Sequence, residues 1–186
     1  MRWYAGAVAA PAAVRLLEGA VHGTGGTWAD LGCGDGTFTL ALAELLGPAA
    51  RIYAVDHNPG ALSRLRGRAR GRAGVIPVEA DFTRPLDLLG GGEALDGLLF
   101  ANSLHYVPEP ERVLATWTAR LRPGGRAVFV EYDRRSPSRW VPHPIPPARL
   151  EEVALSAGLS APVITSRQPS AYAGTLYAAF STRPLP

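Results

Sequence analysis

The sequence predicts an α/β fold in three layers, with a mostly parallel sheet that ends in an antiparallel hairpin. Short apolar runs alternate with amphipathic helical segments, which is the pattern of strand–helix–strand units. A glycine-rich turn at 32–36 joins the first predicted strand to a helix, as in nucleotide-binding α/β proteins. Two apolar and β-branched runs at 163–166 and 176–180, on either side of a polar turn, predict the hairpin.

The composition fits one globular domain over 1–186, with a helical N-terminal segment at 1–26. The net charge of +3 is too modest to argue for a nucleic-acid partner. There is no apolar run of about 18 residues and no complete signal-peptide core, so we expect a cytoplasmic protein that does not enter a membrane. The single cysteine, Cys33, excludes an intrachain disulfide and a cysteine-based zinc site, and we interpret it as a small residue that fills the turn.

Each element follows from apolar spacing and from the residues that interrupt it. The run at 96–102 is nearly all apolar, as a central parallel strand should be. Asn58 and Pro59 are suited to the cap and first position of a helix. The predicted elements, in chain order, are helix 9–22, strand 27–31, helix 38–46, strand 51–56, helix 61–72, strand 74–80, strand 96–102, helix 109–121, strand 127–132, helix 150–157, and strands 163–166 and 176–180.

The glycine turn differs from a dinucleotide fingerprint, which reads G-x-G-x-x-G. Here the third glycine comes one residue early, at Gly36, and an acid, Asp30, precedes the turn. The run D-L-G-C-G-D-G at 30–36 resembles motif I of class I S-adenosylmethionine (SAM) methyltransferases. The run L-R-P-G-G at 121–125, between a helix and the fifth strand, is a second feature of that family. The resemblance implies a Rossmann-like sheet and a small-molecule methyltransferase similar to the type 11/25 families.

This resemblance implies a SAM site, with S-adenosylhomocysteine (SAH) as the product. Asp30 is suited to the ammonium group of the cofactor, and Asp56 to both ribose hydroxyls. Asp81 is expected to receive the adenine amino group, with Phe82 beside the ring. The full set of expected cofactor-binding residues is Asp30, Gly32, Cys33, Gly34, Gly36, Asp56, His57, Asn58, Asp81, Phe82, Asn102 and Ser103.

The loop after the fourth strand carries the candidate catalytic residues, His105 and Tyr106. Histidine titrates near neutral pH, so His105 is suited to act as a base or to position the acceptor. The alternative is a histidine that bonds a local backbone group. Further candidates at the same sheet edge are Glu131, Tyr132, His143 and the arginines of the proline-rich segment 133–147, which is expected to lie on the substrate side. No metal site is expected.

Several functions remain open at this point. The leading prediction is methyl transfer from SAM to a small molecule, because motifs of nucleobase, cytosine-C5 and catechol-type enzymes are absent. The chain is alternatively a SAM-binding module without catalysis, or the partner subunit of another chain. An RNA methyltransferase would use the five arginines between 64 and 72, but their alternating spacing wraps around a helix. A nucleotide-dependent oxidoreductase is disfavoured by Asp30 and the early glycine. The sequence leaves a monomer and a homodimer equally open.

Overall fold

The computed structural model describes residues 10–72, 74–88, 94–134, 136–170 and 174–186. Within these ranges, seven strands form a single sheet in the order β3-β2-β1-β4-β5-β7-β6. The strands are β1 Thr27–Leu31, β2 Arg51–Asp56, β3 Val75–Glu79, β4 Leu95–Ala101, β5 Leu121–Tyr132, β6 Val163–Pro169 and β7 Thr175–Thr182. The helices are α1 Ala10–Leu17, α2 Thr37–Leu46, α3 Pro59–Arg68, α4 Pro110–Thr118 and α5 Pro147–Ser156, and a short 3₁₀ helix spans Leu104–Tyr106.

The sheet is parallel from β3 through β5, and β7 runs antiparallel to both β5 and β6. This confirms the predicted fold class, including the antiparallel C-terminal hairpin. The strand order reverses between β1 and β4, which lie side by side but are far apart in the chain. Ligands of open α/β sheets bind at the carboxyl ends of the strands beside such a reversal. The loops after β1 and β4 are therefore the expected place for a site.

Helices cover both faces of the sheet, so the central strands are buried on both sides. Alternate residues of β4 belong to different halves of the core: Leu98 and Phe100 pack with α4 and α5, whereas Leu99 packs with α1 and α2. This two-sided burial explains why β4 is apolar throughout and shows no alternation with polar residues. A smaller cluster, which includes Leu62 and Leu65, seats α3.

Most of the predicted helix and strand boundaries differ from the observed ones by a few residues, and two of these differences are described here. Helix α1 ends at Leu17, and a turn carries the chain from there to Ala20, so the predicted helix to His22 was too long. Strand β5 begins at Leu121, so the 121–125 run lies within the strand and does not close the preceding helix. Leu121 pairs with Leu95, and the pairing then shifts before it resumes at Gly97 and Arg126.

Candidate functional site

All three glycines of the turn after β1 have a left-handed backbone. The reason why a glycine is needed differs from one position to the next. The φ angles are 81° at Gly32, 56° at Gly34 and 86° at Gly36. A Cβ on Gly32 would lie 2.5 Å from the Cβ of Ser103, and one on Gly36 would meet the Leu65 side chain. At Gly34, no atom of the described residues lies within 4 Å of the Cβ position. The outer two glycines therefore allow the protein to pack, while Gly34 leaves room for a ligand.

Asp56, at the end of β2, is tied to this turn through the backbone. Its Oδ2 accepts a 2.8 Å hydrogen bond from the N–H of Gly34, and its Oδ1 accepts one of 2.8 Å from the N–H of Asn58. Each carboxylate oxygen keeps a lone pair for a further donor. The pair of oxygens is thereby fixed beside the open cradle, in an orientation suited to two neighbouring hydroxyl groups.

The residues after Asp56 have different surroundings. His57 is largely exposed, and its Nδ1 lies 3.9 Å from Asp56 Oδ1. The side-chain oxygen of Asn58 accepts from the N–H groups of Gly60 (3.0 Å) and Ala61 (3.2 Å), and Pro59 stands at the first helical position. This confirms the predicted helix cap. The Asn58 side-chain oxygen is therefore used by α3, which leaves only the NH₂ of that side chain for the predicted contact with the cofactor.

Asp30, the last residue but one of β1, is a buried acid with one unused oxygen. Its Oδ2 accepts a 2.6 Å hydrogen bond from the Thr39 hydroxyl. Its Oδ1 is buried and has no hydrogen-bond partner among the described residues. Burial raises the pKa of the Asp30 carboxyl to about 7; the Thr39 bond lowers it and the Asp56 charge raises it. A cationic group would favour the charged form and satisfy the free oxygen.

Cys33 fills the turn as expected for a small residue. Its thiol is buried and contacts the carbonyl of Gly34 at 3.7 Å. Burial raises the pKa of the Cys33 thiol well above its usual range, and the nearby carboxylates of Asp30 and Asp56 add to that effect. The thiol therefore stays protonated and is unsuited to act as a nucleophile.

The tip of β3 brings Asp81 and Phe82 to the same edge. Asp81 Oδ1 accepts from the N–H and the hydroxyl of Thr83, at 2.9 and 2.7 Å, and the Thr83 side chain is the main cause of a lowered Asp81 pKa. The indole N–H of Trp117 donates to the carbonyl of Phe82 at 2.9 Å, which anchors this loop on α4. The Phe82 ring lies 3.3 Å from the Cβ position of Gly32, so it borders the glycine turn.

Asn102 and Ser103 follow β4 directly and face the turn from the other side of the strand reversal. Asn102 is the only described residue other than glycine with a positive φ, at 54°. Its side-chain Oδ1 and the Ser103 hydroxyl are both buried and lack hydrogen-bond partners within the described ranges. Buried polar atoms are nearly always satisfied, and Ser103 lies against Gly32, so these two oxygens are available to a ligand that binds at the glycine turn.

His105 lies two residues farther on, in the 3₁₀ helix, and is only 2% exposed. Its ring Nδ1 is 2.6 Å from Glu131 Oε2, and its backbone N–H donates to Glu131 Oε1 at 3.2 Å. The Nδ1 of His105 therefore contacts a side chain of β5, and not the local backbone group that the alternative interpretation predicts. Tyr106 packs beside the His105 ring, with centroids 4.5 Å apart, and is 46% exposed.

The described part of the 133–147 segment folds back over this region. The His143 N–H donates to the carbonyl of His105 at 3.0 Å, and the carbonyl of Ile145 accepts from the Tyr177 hydroxyl at 2.7 Å. Val141 is buried, whereas Trp140 is exposed and carries the Arg139 guanidinium 4.3 Å from its ring centroid. Arg135 of this segment lies outside the described residues. So do residues 1–9, the first part of the predicted N-terminal segment at 1–26; the sequence also predicts that Trp3 and Tyr4 of this part help to form the acceptor pocket.

Arg68 is a residue of the site that the sequence did not single out. From α3 it donates to the carbonyl of Asp35 (3.0 Å) and to the hydroxyl of Thr37 (3.2 Å), and it forms a 3.1 Å ion pair with the Asp35 carboxylate. It thereby braces the glycine turn from outside. The alternating arginines of this helix gave no signal that would distinguish Arg68 from its neighbours.

The described residues contain no group of three or more His, Cys, Asp or Glu side chains placed to hold a metal ion. None of the helices in these ranges has the length and apolar character needed to cross a membrane.

Residues 29–127, more than half of the chain, match a family model described as a methyltransferase domain. The chain belongs to this methyltransferase family. The match begins just before Asp30 and ends within β5, so it includes the glycine turn, Asp56, Asp81 and the loop after β4.

Two curated relatives and one solved structure illustrate what this chain is similar to. A trans-aconitate 2-methyltransferase of Streptomyces coelicolor is 35% identical over 102 residues, 52% of this chain and 31% of that protein. A demethylmenaquinone methyltransferase of Clavibacter sepedonicus is 35% identical over 103 residues, 55% of this chain and 40% of that protein. The structure of the Burkholderia thailandensis 1,6-didemethyltoxoflavin-N1-methyltransferase, solved with its namesake compound and SAH, has a TM-score of 0.71 at 25% identity and covers 94% of this chain and 77% of that chain.

These similarities confirm the predicted family, fold and SAM cofactor. The residues present also fit that cofactor: an open glycine cradle at Gly34, a preset carboxylate at Asp56, and unsatisfied buried atoms at Asn102 and Ser103. The match covers less than half of the length of either curated relative.

Proposed function

We propose that this methyltransferase transfers a methyl group from SAM to a small-molecule acceptor. The observation that carries the proposal is the joining of Asp56 to the open backbone of Gly34, at the point where the strand order reverses. That junction offers a diol-binding carboxylate and a ligand cradle within one rigid unit. SAM, when bound, supplies a methyl group that is already activated by a sulfonium.

In this proposal different residues bind different parts of the cofactor. Asp30 holds the ammonium group with its free oxygen, and Asp56 holds the two ribose hydroxyls. Asp81 and Phe82 bind the adenine, and Asn102 and Ser103 supply polar contacts from the loop after β4. The turn at 32–36, with Cys33 buried in it, provides backbone contact without side chains in the way.

The acceptor is bound on the side of His105, Tyr106 and the 133–147 segment. Small-molecule substrates are supported by the names of the relatives, whose acceptors are trans-aconitate and demethylmenaquinone. The work of the protein is then to exclude water and to align the acceptor, and such positioning can supply about 7–11 kcal/mol of barrier reduction. The burial of His105 beneath Tyr106 and the folded-back segment supports this assignment.

Calorimetric titration tests the proposal first. The full chain is titrated with SAM and SAH, with NADH as a control ligand, and then incubated with SAM and a panel of phenols, enols, alcohols, carboxylates and amines while SAH release is measured. We expect binding of both sulfur compounds, no binding of NADH, and SAH release with one class of acceptor. Absence of SAM and SAH binding would overturn the proposal. Binding without turnover across the panel would instead favour the non-catalytic SAM-binding module.

A further inference from the structure

Both carboxylate oxygens of Glu131 contact the same residue, His105. Its Oε1 accepts from the backbone N–H of His105 at 3.2 Å, and its Oε2 lies 2.6 Å from the Nδ1 of the same residue. Glu131 sits near the end of β5, directly opposite Tyr177 of β7, and is completely buried. A charged side chain in such a place is costly unless its hydrogen bonds are satisfied, so the contact with His105 is the reason that an acid is tolerated there.

The pair belongs to the loop that borders the glycine turn. A Cβ on Gly32 would lie 2.5 Å from the Cβ of Ser103, and Ser103 immediately precedes the 3₁₀ helix that carries His105. The His105 ring packs beside Tyr106, which is about half-exposed. The chain thus places His105 two residues from the border of the glycine turn and in contact with a residue of the protein surface.

We propose that Glu131 is a positioning residue that keeps the His105 proton on Nδ1, so that Nε2 serves as the base for an acceptor whose reacting atom carries a proton. The acceptor class that follows is a phenol, an enol or an alcohol. This inference rests on the proposed function, because it concerns the acceptor side of the same site.

The tautomer of His105 follows from which atoms of the pair can donate a hydrogen bond and which can accept one. The proposal takes Glu131 as an ionised carboxylate, which has only acceptors, so the ring nitrogen 2.6 Å from Oε2 donates a hydrogen to it. In a neutral imidazole the other nitrogen, Nε2, then has a free lone pair. A carboxylate that orients a histidine in this way is the arrangement by which acyl-transfer enzymes set the tautomer of their base.

The step balances in atoms and charge. The acceptor O–H proton passes to Nε2 of His105, and the resulting imidazolium is stabilised by the Glu131 carboxylate before it returns the proton to solvent. The acceptor oxygen forms the new bond to the methyl carbon, and the electron pair of the cleaved carbon–sulfur bond remains on the sulfur of SAH. A carboxylate acceptor has no proton to lose at neutral pH, so a buried base would be superfluous for it.

Tyr106 is not an alternative base. Burial, followed by the neighbouring Tyr132 and Glu131, raises the pKa of the Tyr106 phenol above its usual value. The phenol therefore stays neutral and is suited to contact the acceptor or to donate a hydrogen bond to it.

The test is ¹⁵N NMR of the histidine rings in the full chain, with His105 assigned through the His105→Asn variant and spectra recorded with and without SAH. We expect a neutral ring with its proton on Nδ1. The Glu131→Gln variant should reverse this, because the His105 backbone N–H can meet only the amide oxygen. The amide NH₂ then faces Nδ1, which must accept, and the ring proton moves to Nε2.

The matched control is Glu109→Gln, the same chemical change at an exposed acid paired with Arg112. This control should leave the His105 tautomer as it is. A wild-type ring protonated on Nε2, or on both nitrogens at neutral pH, would overturn the inference even if the Glu131 variant failed to fold. An unchanged tautomer in a folded Glu131→Gln protein would overturn it as well.

Activity gives a second readout. With a phenol, enol or alcohol from the acceptor panel, Glu131→Gln should lower kcat by about 10²–10⁴-fold while SAH affinity is retained. Retained kcat, or turnover with carboxylates alone, would reject the inference and leave the proposed methyl transfer intact. Loss of SAM and SAH binding by the wild-type chain would reject the proposed function, whereas the tautomer is measured independently of that result.

Discussion

The carboxylate of Asp56 accepts a 2.8 Å hydrogen bond from the backbone N–H of Gly34, which ties the tip of β2 to the turn after β1. A second bond of 2.8 Å, from the N–H of Asn58, holds the other oxygen. Two backbone donors thus hold one carboxylate in place before any ligand is bound. This arrangement reduces the conformational freedom that binding would otherwise have to remove.

Asp56→Asn should weaken cofactor binding and also loosen the fold locally. An amide has one oxygen for the two backbone donors, so its NH₂ would face an N–H group, and leaving a buried donor unsatisfied costs about 1–3 kcal/mol. Calorimetry with SAH and urea unfolding measure the two effects. Asp87→Asn, at a half-exposed acid paired with Arg120, is the control and should change neither. Full SAH affinity in the Asp56 variant would contradict the assigned role.

A comparison of Gly34→Ala with Gly71→Ala should distinguish the effect of backbone strain from the effect of a lost ligand contact. Gly34 and Gly71 both have positive φ, at 56° and 81°, and both have open space at the Cβ position. Alanine in this backbone conformation costs about 1–2 kcal/mol at either place. Only the methyl group at 34 enters the cofactor cradle, so only Gly34→Ala should lose SAH affinity in calorimetry. Equal affinity in the two variants would show that Gly34 does not border the ligand.

Asp30 should make the ligand-free protein less stable as pH rises from about 4 to about 7. Its pKa is 3.8 in an unfolded chain and about 7 in the fold, so the folded state binds the proton more tightly across this window. The free energy of unfolding therefore falls through the window, by on the order of 4 kcal/mol, and levels off above it.

Asp30→Asn removes this titration and should show a flatter dependence in urea unfolding at about pH 5 and about pH 8. The ammonium of SAH favours the ionised acid, so SAH binding near neutral pH should release a proton. Calorimetry in buffers of different ionisation enthalpy detects that proton. An identical pH slope in wild type and variant would refute the assignment to Asp30.

Much of the fold could be predicted because its strands are buried on both faces. Strands β1 and β2 have the predicted bounds, since apolar runs ending in Leu31 and Asp56 leave little choice. Strand β5 was predicted to start at 127, because Pro123 and two glycines indicate a break. Its true start depends on the shifted pairing of Leu121 with Leu95, which only the partner strand determines.

The residues of the site could also be predicted only in part from the sequence. Asp30, Asp56 and the three glycines belong to local patterns, so the sequence alone could mark them. The hydrogen bond between His105 and Glu131 joins residues 26 positions apart. The sequence could place both residues at the same sheet edge, but their contact depends on how the loop after β4 packs against β5. For the same reason, nothing in the arginine-rich helix pointed to the contact of Arg68 with Asp35.

The insertion of β7 between β5 and β6 has a consequence for how the chain assembles. Until Thr175–Thr182 has been synthesised, β5 is an open sheet edge with unpaired backbone groups, and β6 has no neighbour to join. Such an edge readily pairs with other chains. The strand at 175–182 therefore closes the β5 edge against pairing with other chains and gives β6 its place in the sheet.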